Sequence, residues 1–125
     1  MKIHESGENN LETILILRQR ISNVRSIDIA NELNYTKPSV SVAMKHFREN
    51  GLISIDENGF ITLTEDGYKI ANRVYNRHTL LTKALIHLGV SEETAKEDAC
   101  RIEHDISDET FDKLKKFCEK HNITE

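Results

Sequence analysis

The sequence predicts a mainly α-helical chain, with a helix-turn-helix and a short β-hairpin in its first half and further helices in its second. Three observations carry this expectation. Apolar residues recur near helical spacing from about residue 8 to 21, two β-prone runs follow between Leu52 and Leu63, and helical spacing returns after Thr64.

Leu11, Ile14, Ile16 and Leu17 predict the first helix, over about residues 8 to 21. After a short polar turn, Ser26 reads as the N-cap of a brief amphipathic helix through Ile27, Ile29, Ala30 and Leu33, closed by the turn-tolerant Asn34 and Tyr35. Thr36 can cap the next helix, Pro38 in its first turn loses no hydrogen bond, and Gly51 stops it after Asn50. Leu52 to Ile55 and Phe60 to Leu63 then read as strands joined through Asp56-Glu57-Asn58-Gly59, whose Asn-Gly pair marks a hairpin turn. Thr64 offers a capping hydroxyl, with Glu65 and Asp66 at the positive end of a long helix over about residues 65 to 88. Ile70, Ala71, Val74, Leu81, Leu85 and Leu88 form its inward stripe, and Gly89 its end. Ser91 opens a helix to about His104, and Ser107 a last one to about Lys120.

A helix-turn-helix followed by a hairpin is the arrangement of a winged helix-turn-helix DNA-binding domain, in which the second motif helix enters the major groove. On that helix Lys37, Ser39, Ser41 and Lys45 are donors suited to phosphates and base edges, Val42 offers an apolar surface to a thymine methyl, and Arg48 lies further along. A merely solvated helix face would read the same way residue by residue. The net charge of −4 is unevenly spread: residues 15–50 hold six Lys/Arg against three Asp/Glu, a net of +3, and residues 91–125 hold six against eleven, a net of −5. With 125 residues, the chain can bury one modest core, or two small half-domains sharing one. No apolar run approaches a membrane span and the first residues lack the apolar core of a secretory signal, so a cytoplasmic protein with reduced cysteines is expected, with no membrane partner. No nucleophile-base set or phosphate-binding loop points to an enzyme.

The densest chemistry lies in Cys100-Arg101-Ile102-Glu103-His104. Spacings of three and four residues bring a thiol, a carboxylate and an imidazole to one helical face. Mixed soft and hard donors suit a borderline first-row metal better than Mg²⁺ or Ca²⁺, and zinc also fits. The alternative is a small buried Cys beside a solvated Glu-His pair. Cys118, on a helix with Phe111, Leu114 and Phe117, reads as core or dimer interface, and His4, His46, His87 and His121 read as surface residues.

The run from Asp98 to Glu109 closely resembles the metal-site segment of the diphtheria toxin repressor and manganese transport regulator family of iron- and manganese-dependent repressors. The resemblance extends to Ser39-Val40-Ser41, Asn50-Gly51-Leu52, Leu63 to Gly67 and Asn76 to Leu81. It implies a winged-helix domain over residues 1–72, a helical dimerisation and metal-binding domain over 73–125, and a homodimer that represses metal-ion uptake genes at palindromic operators when Mn²⁺ or Fe²⁺ is bound. Co²⁺, Ni²⁺ or Zn²⁺ are expected to substitute in vitro. The alternative is a winged-helix regulator that has lost metal control or answers to another ligand.

Carried over by position, the implied ligands are Glu12, His78, Cys100, Glu103 and His104. Asn9 stands where the manganese type has Asp and the iron type Met, and Glu8 is its neighbour if the register shifts by one. Cys100 resembles the iron type and Glu12 the manganese type. Thr82 and Lys96 stand where the iron type's ancillary site has ligating side chains, so no second site of that kind is expected. Because the sequence stops soon after the last expected helix, the third, SH3-like domain of the longer iron-dependent members is not expected either. The resemblance further implies that metal joining first-helix and second-half ligands sets the spacing of two recognition helices, so that metal and operator reinforce each other's binding.

Overall fold

A computed structural model describes residues 5–123. They fall into two compact units that meet in the chain between Arg73 and Val74. The first contains α1 (Glu5–Ile21), α2 (Ser26–Leu33), α3 (Lys37–Glu49), β1 (Ile53–Ile55), β2 (Ile61–Leu63) and the beginning of α4 (Glu65–His87); the second contains the rest of α4, α5 (Glu92–Asp105) and α6 (Asp108–Lys120). No helix among the described residues is long and apolar enough to cross a membrane.

In the first unit, α1 starts three residues before the expected point, because the polar stretch ahead of Leu11 carries no apolar period to announce it. The cap of α2 also differs from expectation. Ser26 is the first helical residue and Arg25 the N-cap, and the Arg25 N–H donates to Asp28 Oδ2 at 2.9 Å. Asn34 ends this helix in the left-handed region (φ 56°), with its N–H bonded to the Ala30 carbonyl. Thr36 caps α3 as expected, accepting from the Ser39 N–H at 3.3 Å.

The hairpin pairs Ile53 with Leu63, Ser54 with Thr62 and Ile55 with Ile61. Its loop is set by Asp56, whose Oδ1 accepts from the Asn58 and Phe60 amides, both at 2.9 Å. Gly59 has φ 80° and Asn58 does not share the left-handed region. The turn is therefore a three-residue loop closed by one left-handed glycine, not a two-residue Asn-Gly turn. The Ile61 N–H donates to the Val24 carbonyl at 2.7 Å, and Arg18 Nη1 to the Ile61 carbonyl at 3.3 Å, which ties the hairpin to the α1–α2 connection.

Leu11, Ile14, Ile29, Met44 and Ile61 are fully buried at the centre of this unit. Each such side chain contributes about 1.5–3 kcal/mol by leaving water. Val40, Met44 and Phe47 are the buried positions of α3, and their spacing leaves residues 41, 42, 45 and 48 on the solvent side.

In the second unit α5 buries Ala95, Ala99 and Glu103, an i, i+4, i+8 stripe whose third member is a carboxylate. The buried stripe of α4 likewise runs Val74, Arg77, Leu81, with a guanidinium in its middle. Leu88, expected on that stripe, is 78% exposed: α4 ends at His87, and beyond the last helical residue the helical period no longer sets direction. Ser91 and Ser107 cap α5 and α6, accepting from the amides of Thr94 and Thr110 at 3.4 and 3.1 Å.

Candidate functional site

The α2–α3 pair places Lys37, Ser39, Ser41, Val42 and Lys45 on the exposed part of α3, together with Arg48. Val42 is 63% exposed, a large apolar side chain on a helix whose inner face already holds three. Ser39 is partly engaged, since its hydroxyl donates to the Thr36 carbonyl at 2.9 Å. The others present three cations, a hydroxyl and an apolar tip to solvent. This combination suits contact with phosphates and base edges.

Four of the five residues expected to hold metal lie in the second unit, where α5 gathers three. Ligand atoms of Cys100, Glu103 and His104 all lie within 4.8 Å of one another. The Glu103 side chain has no exposure and that of His104 only 2%. From α4, His78 brings Nδ1 to 3.1 Å from Glu103 Oε2, while His104 Nε2 lies 3.3 Å from Oε1. A carboxylate removed from water is costly unless it is paired or coordinates a cation. Here it stands between two imidazoles, and Oε1 accepts no hydrogen bond despite its burial. The donor set fits a transition metal: one thiol, one carboxylate and two imidazoles offer the mixed ligands of a borderline ion. A His78 ring that donates Nδ1–H to Glu103 carries its lone pair on Nε2, a tautomer fixed by the carboxylate.

Glu12, the fifth, lies in the first unit, on α1, and is buried, as are its neighbours Asn10 and Thr13. Asn9 is half-buried. Glu8 forms an ion pair with Arg73 at 3.2 Å within the same unit. Lys96 is exposed and pairs with Glu92 at 3.2 Å. His46, His87 and His121 are exposed, and His4 lies outside the described residues. Cys118 is buried, and burial pushes its thiol up. Iodoacetamide applied to folded, metal-free protein is therefore expected to alkylate the half-buried Cys100 well before Cys118, as read by mass spectrometry of the peptides. Equal rates would contradict this ranking.

Arg77 escapes a sequence reading centred on ligands. Its signal is the cation at an inward position, three residues after Val74 and four before Leu81. It is 8% exposed, and it reaches from α4 to the backbone of α5.

A winged helix followed by a helical unit with a clustered transition-metal donor set defines the class, a DNA-binding regulator with a metal-sensing domain. Residues 64–123 match the family model described as the iron dependent repressor, metal binding and dimerisation domain. The chain is 33% identical over 114 residues to the transcriptional regulator MntR of Escherichia coli O6:H1, covering 91% of this chain and 74% of that protein. It is 33% identical over 118 residues to an uncharacterised HTH-type transcriptional regulator of Methanocaldococcus jannaschii, covering 93% of this chain and 94% of that one. Among solved structures, the manganese regulator SloR superposes with a TM-score of 0.79 at 28% identity, over 95% of this chain and 55% of that one, so this chain spans about half its length. The chain belongs to the diphtheria toxin repressor and manganese transport regulator family of metal-dependent transcriptional regulators.

Proposed function

We propose that this protein is a transcriptional repressor that binds a palindromic operator as a homodimer when loaded with Mn²⁺ or Fe²⁺, and thereby controls metal-ion uptake genes. The observation that carries this reading is Glu103, a fully buried carboxylate between His78 and His104 beside the Cys100 thiol. Cys100, Glu103, His104 and His78 would hold the ion, and Glu12 is proposed as a further ligand on resemblance alone. A bound cation would supply positive charge to the Glu103 carboxylate and to a Cys100 thiolate, and so would favour one arrangement of these donors. The thiol at Cys100 weights the choice toward Fe²⁺, because softer ions gain more from sulfur. Lys37, Ser39, Ser41, Val42 and Lys45 are proposed to read the operator, Lys37 and Lys45 through phosphate and Ser41 and Val42 through base edges.

The test is a Co²⁺ titration of metal-stripped protein. The expected result is a saturable near-ultraviolet thiolate-to-metal band that is lost in Cys100→Ser. In parallel, selection from a random duplex pool with Mn²⁺ is expected to enrich a palindrome to which the protein binds at least about tenfold more weakly in chelator, a typical scale for coupling between two sites. Equal operator affinity with metal and with chelator would overturn metal control, leaving a metal-independent winged-helix regulator. Absence of any cobalt bands would overturn the metal centre itself.

A further inference from the structure

Arg77 is the one buried guanidinium among the described residues, and its contacts converge on the end of the helix that carries the clustered donors. The last carbonyls of an α-helix have no following amide within the helix to accept from. In α5 the Ile106 N–H closes on the Ile102 carbonyl at 3.2 Å, and the next carbonyl, that of Glu103, receives Arg77 Nη1 at 3.1 Å instead. The same nitrogen donates to the Ile106 carbonyl at 3.2 Å, and Nη2 pairs with the Asp108 carboxylate in the first turn of α6. The guanidinium carbon lies 5.2 Å from the centre of the Phe111 ring. A cation here also complements the negative end of the α5 dipole.

We infer that Arg77 is a positioning residue for the metal centre, holding the last turn of α5 in the conformation that presents Glu103 and His104 to one cation. The inference rests on the metal-centre reading above. His78, the next residue of α4, meets the Glu103 carboxylate, while Arg77 meets the Glu103 carbonyl. Adjacent residues of α4 thus grip the side chain and the main chain of one ligand. Cys100 lies a turn earlier, where ordinary helical bonds suffice. Loss of the guanidinium should therefore loosen Glu103 and His104 and leave Cys100 in place. Supporting contacts of this kind typically change metal affinity by roughly 10–100-fold.

The experiment compares wild type, Arg77→Leu and Arg77→Lys by amide hydrogen exchange without metal and by Co²⁺ titration. In Arg77→Leu, exchange is expected to rise about tenfold or more at amides 104–106 with amides 95–99 unchanged. Its cobalt dissociation constant is expected to rise roughly 10–100-fold with the thiolate band still present at saturation. Arg77→Lys, which keeps the charge and one donor group, is expected to recover most of both. Wild-type exchange and wild-type affinity in Arg77→Leu would overturn the inference, as would loss of protection spread evenly through α5. If wild type itself binds no cobalt, the metal-centre reading fails and Arg77 has no metal turn to position; a local rise in exchange would then leave it a helix anchor only.

Discussion

Glu103→Gln is expected to weaken metal binding by roughly two orders of magnitude or more while leaving the metal-free protein folded. The amide is nearly the same size as the carboxylate, so the i, i+4, i+8 stripe of α5 keeps its packing. The charge is what goes. Removing one partner of a buried ionic arrangement costs about 3–5 kcal/mol, and each 1.4 kcal/mol is about a tenfold change in affinity. The metal dissociation constant should therefore rise by roughly two to three and a half orders of magnitude. In the metal-free protein the same change relieves a carboxylate that has no exposure and an Oε1 that accepts no hydrogen bond. The metal-free thermal midpoint is accordingly expected to hold or rise. Thermal unfolding separates the two effects: at a Mn²⁺ concentration 100 times the wild-type dissociation constant, wild type should gain about 2.7 kcal/mol and Glu103→Gln less than about 0.5 kcal/mol. A variant that keeps the wild-type metal-induced shift would show that Glu103 is not a ligand.

The legible parts of this fold were those where one local signal dominates. The period change at Gly51, the Thr36 and Thr64 caps and the Ser91 and Ser107 starts each depend on a few neighbouring residues, and the structure places them as read. The cap of α2 was misread because a serine beside an arginine looks like the better cap; Asp28, reaching back to the Arg25 amide, decides the boundary. Leu88 was misread because periodicity does not announce where a helix stops. Within the candidate site, Cys100, Glu103 and His104 are legible from spacing on one helix, and the structure brings them together. His78 is 25 residues from Glu103, and only resemblance pointed to it. Arg77 was missed although it carries the same mark as Glu103, a charge set in an apolar stripe. Two such charges on separate helices, each costly alone, are a reason to look for contact between them, and here Nη1 of one donates to the main chain of the other.

Gly67→Ala is expected to destabilise the first unit by about 2–4 kcal/mol, although alanine is the better helix former. Gly67 lies in the first turn of α4, and its backbone is not in the left-handed region, so the substitution alone should gain up to about 1 kcal/mol of helix propensity. Space reverses the sign. A Cβ there would stand 1.9 Å from the Leu52 carbonyl oxygen and 2.9 Å from its carbon, an overlap with main chain that no side-chain rotation relieves. The segment cannot retreat cheaply, because the Thr64 N–H donates to the same carbonyl at 3.0 Å and the Thr64 hydroxyl to the Gly51 carbonyl at 2.6 Å. Overpacking typically costs about 1–3 kcal/mol, and each hydrogen bond lost in the retreat adds about 1 kcal/mol. Gly59→Ala is the contrasting variant. No atom stands within 4 Å of its Cβ position, but φ is 80°, so strain alone should cost about 1–2 kcal/mol. Urea unfolding is expected to rank the midpoints wild type, then Gly59→Ala, then Gly67→Ala. A Gly67→Ala midpoint at or above wild type would mean that α4 shifts off the Leu52 carbonyl without losing its bonds, and that its close approach to the start of the hairpin is not what fixes the helix there.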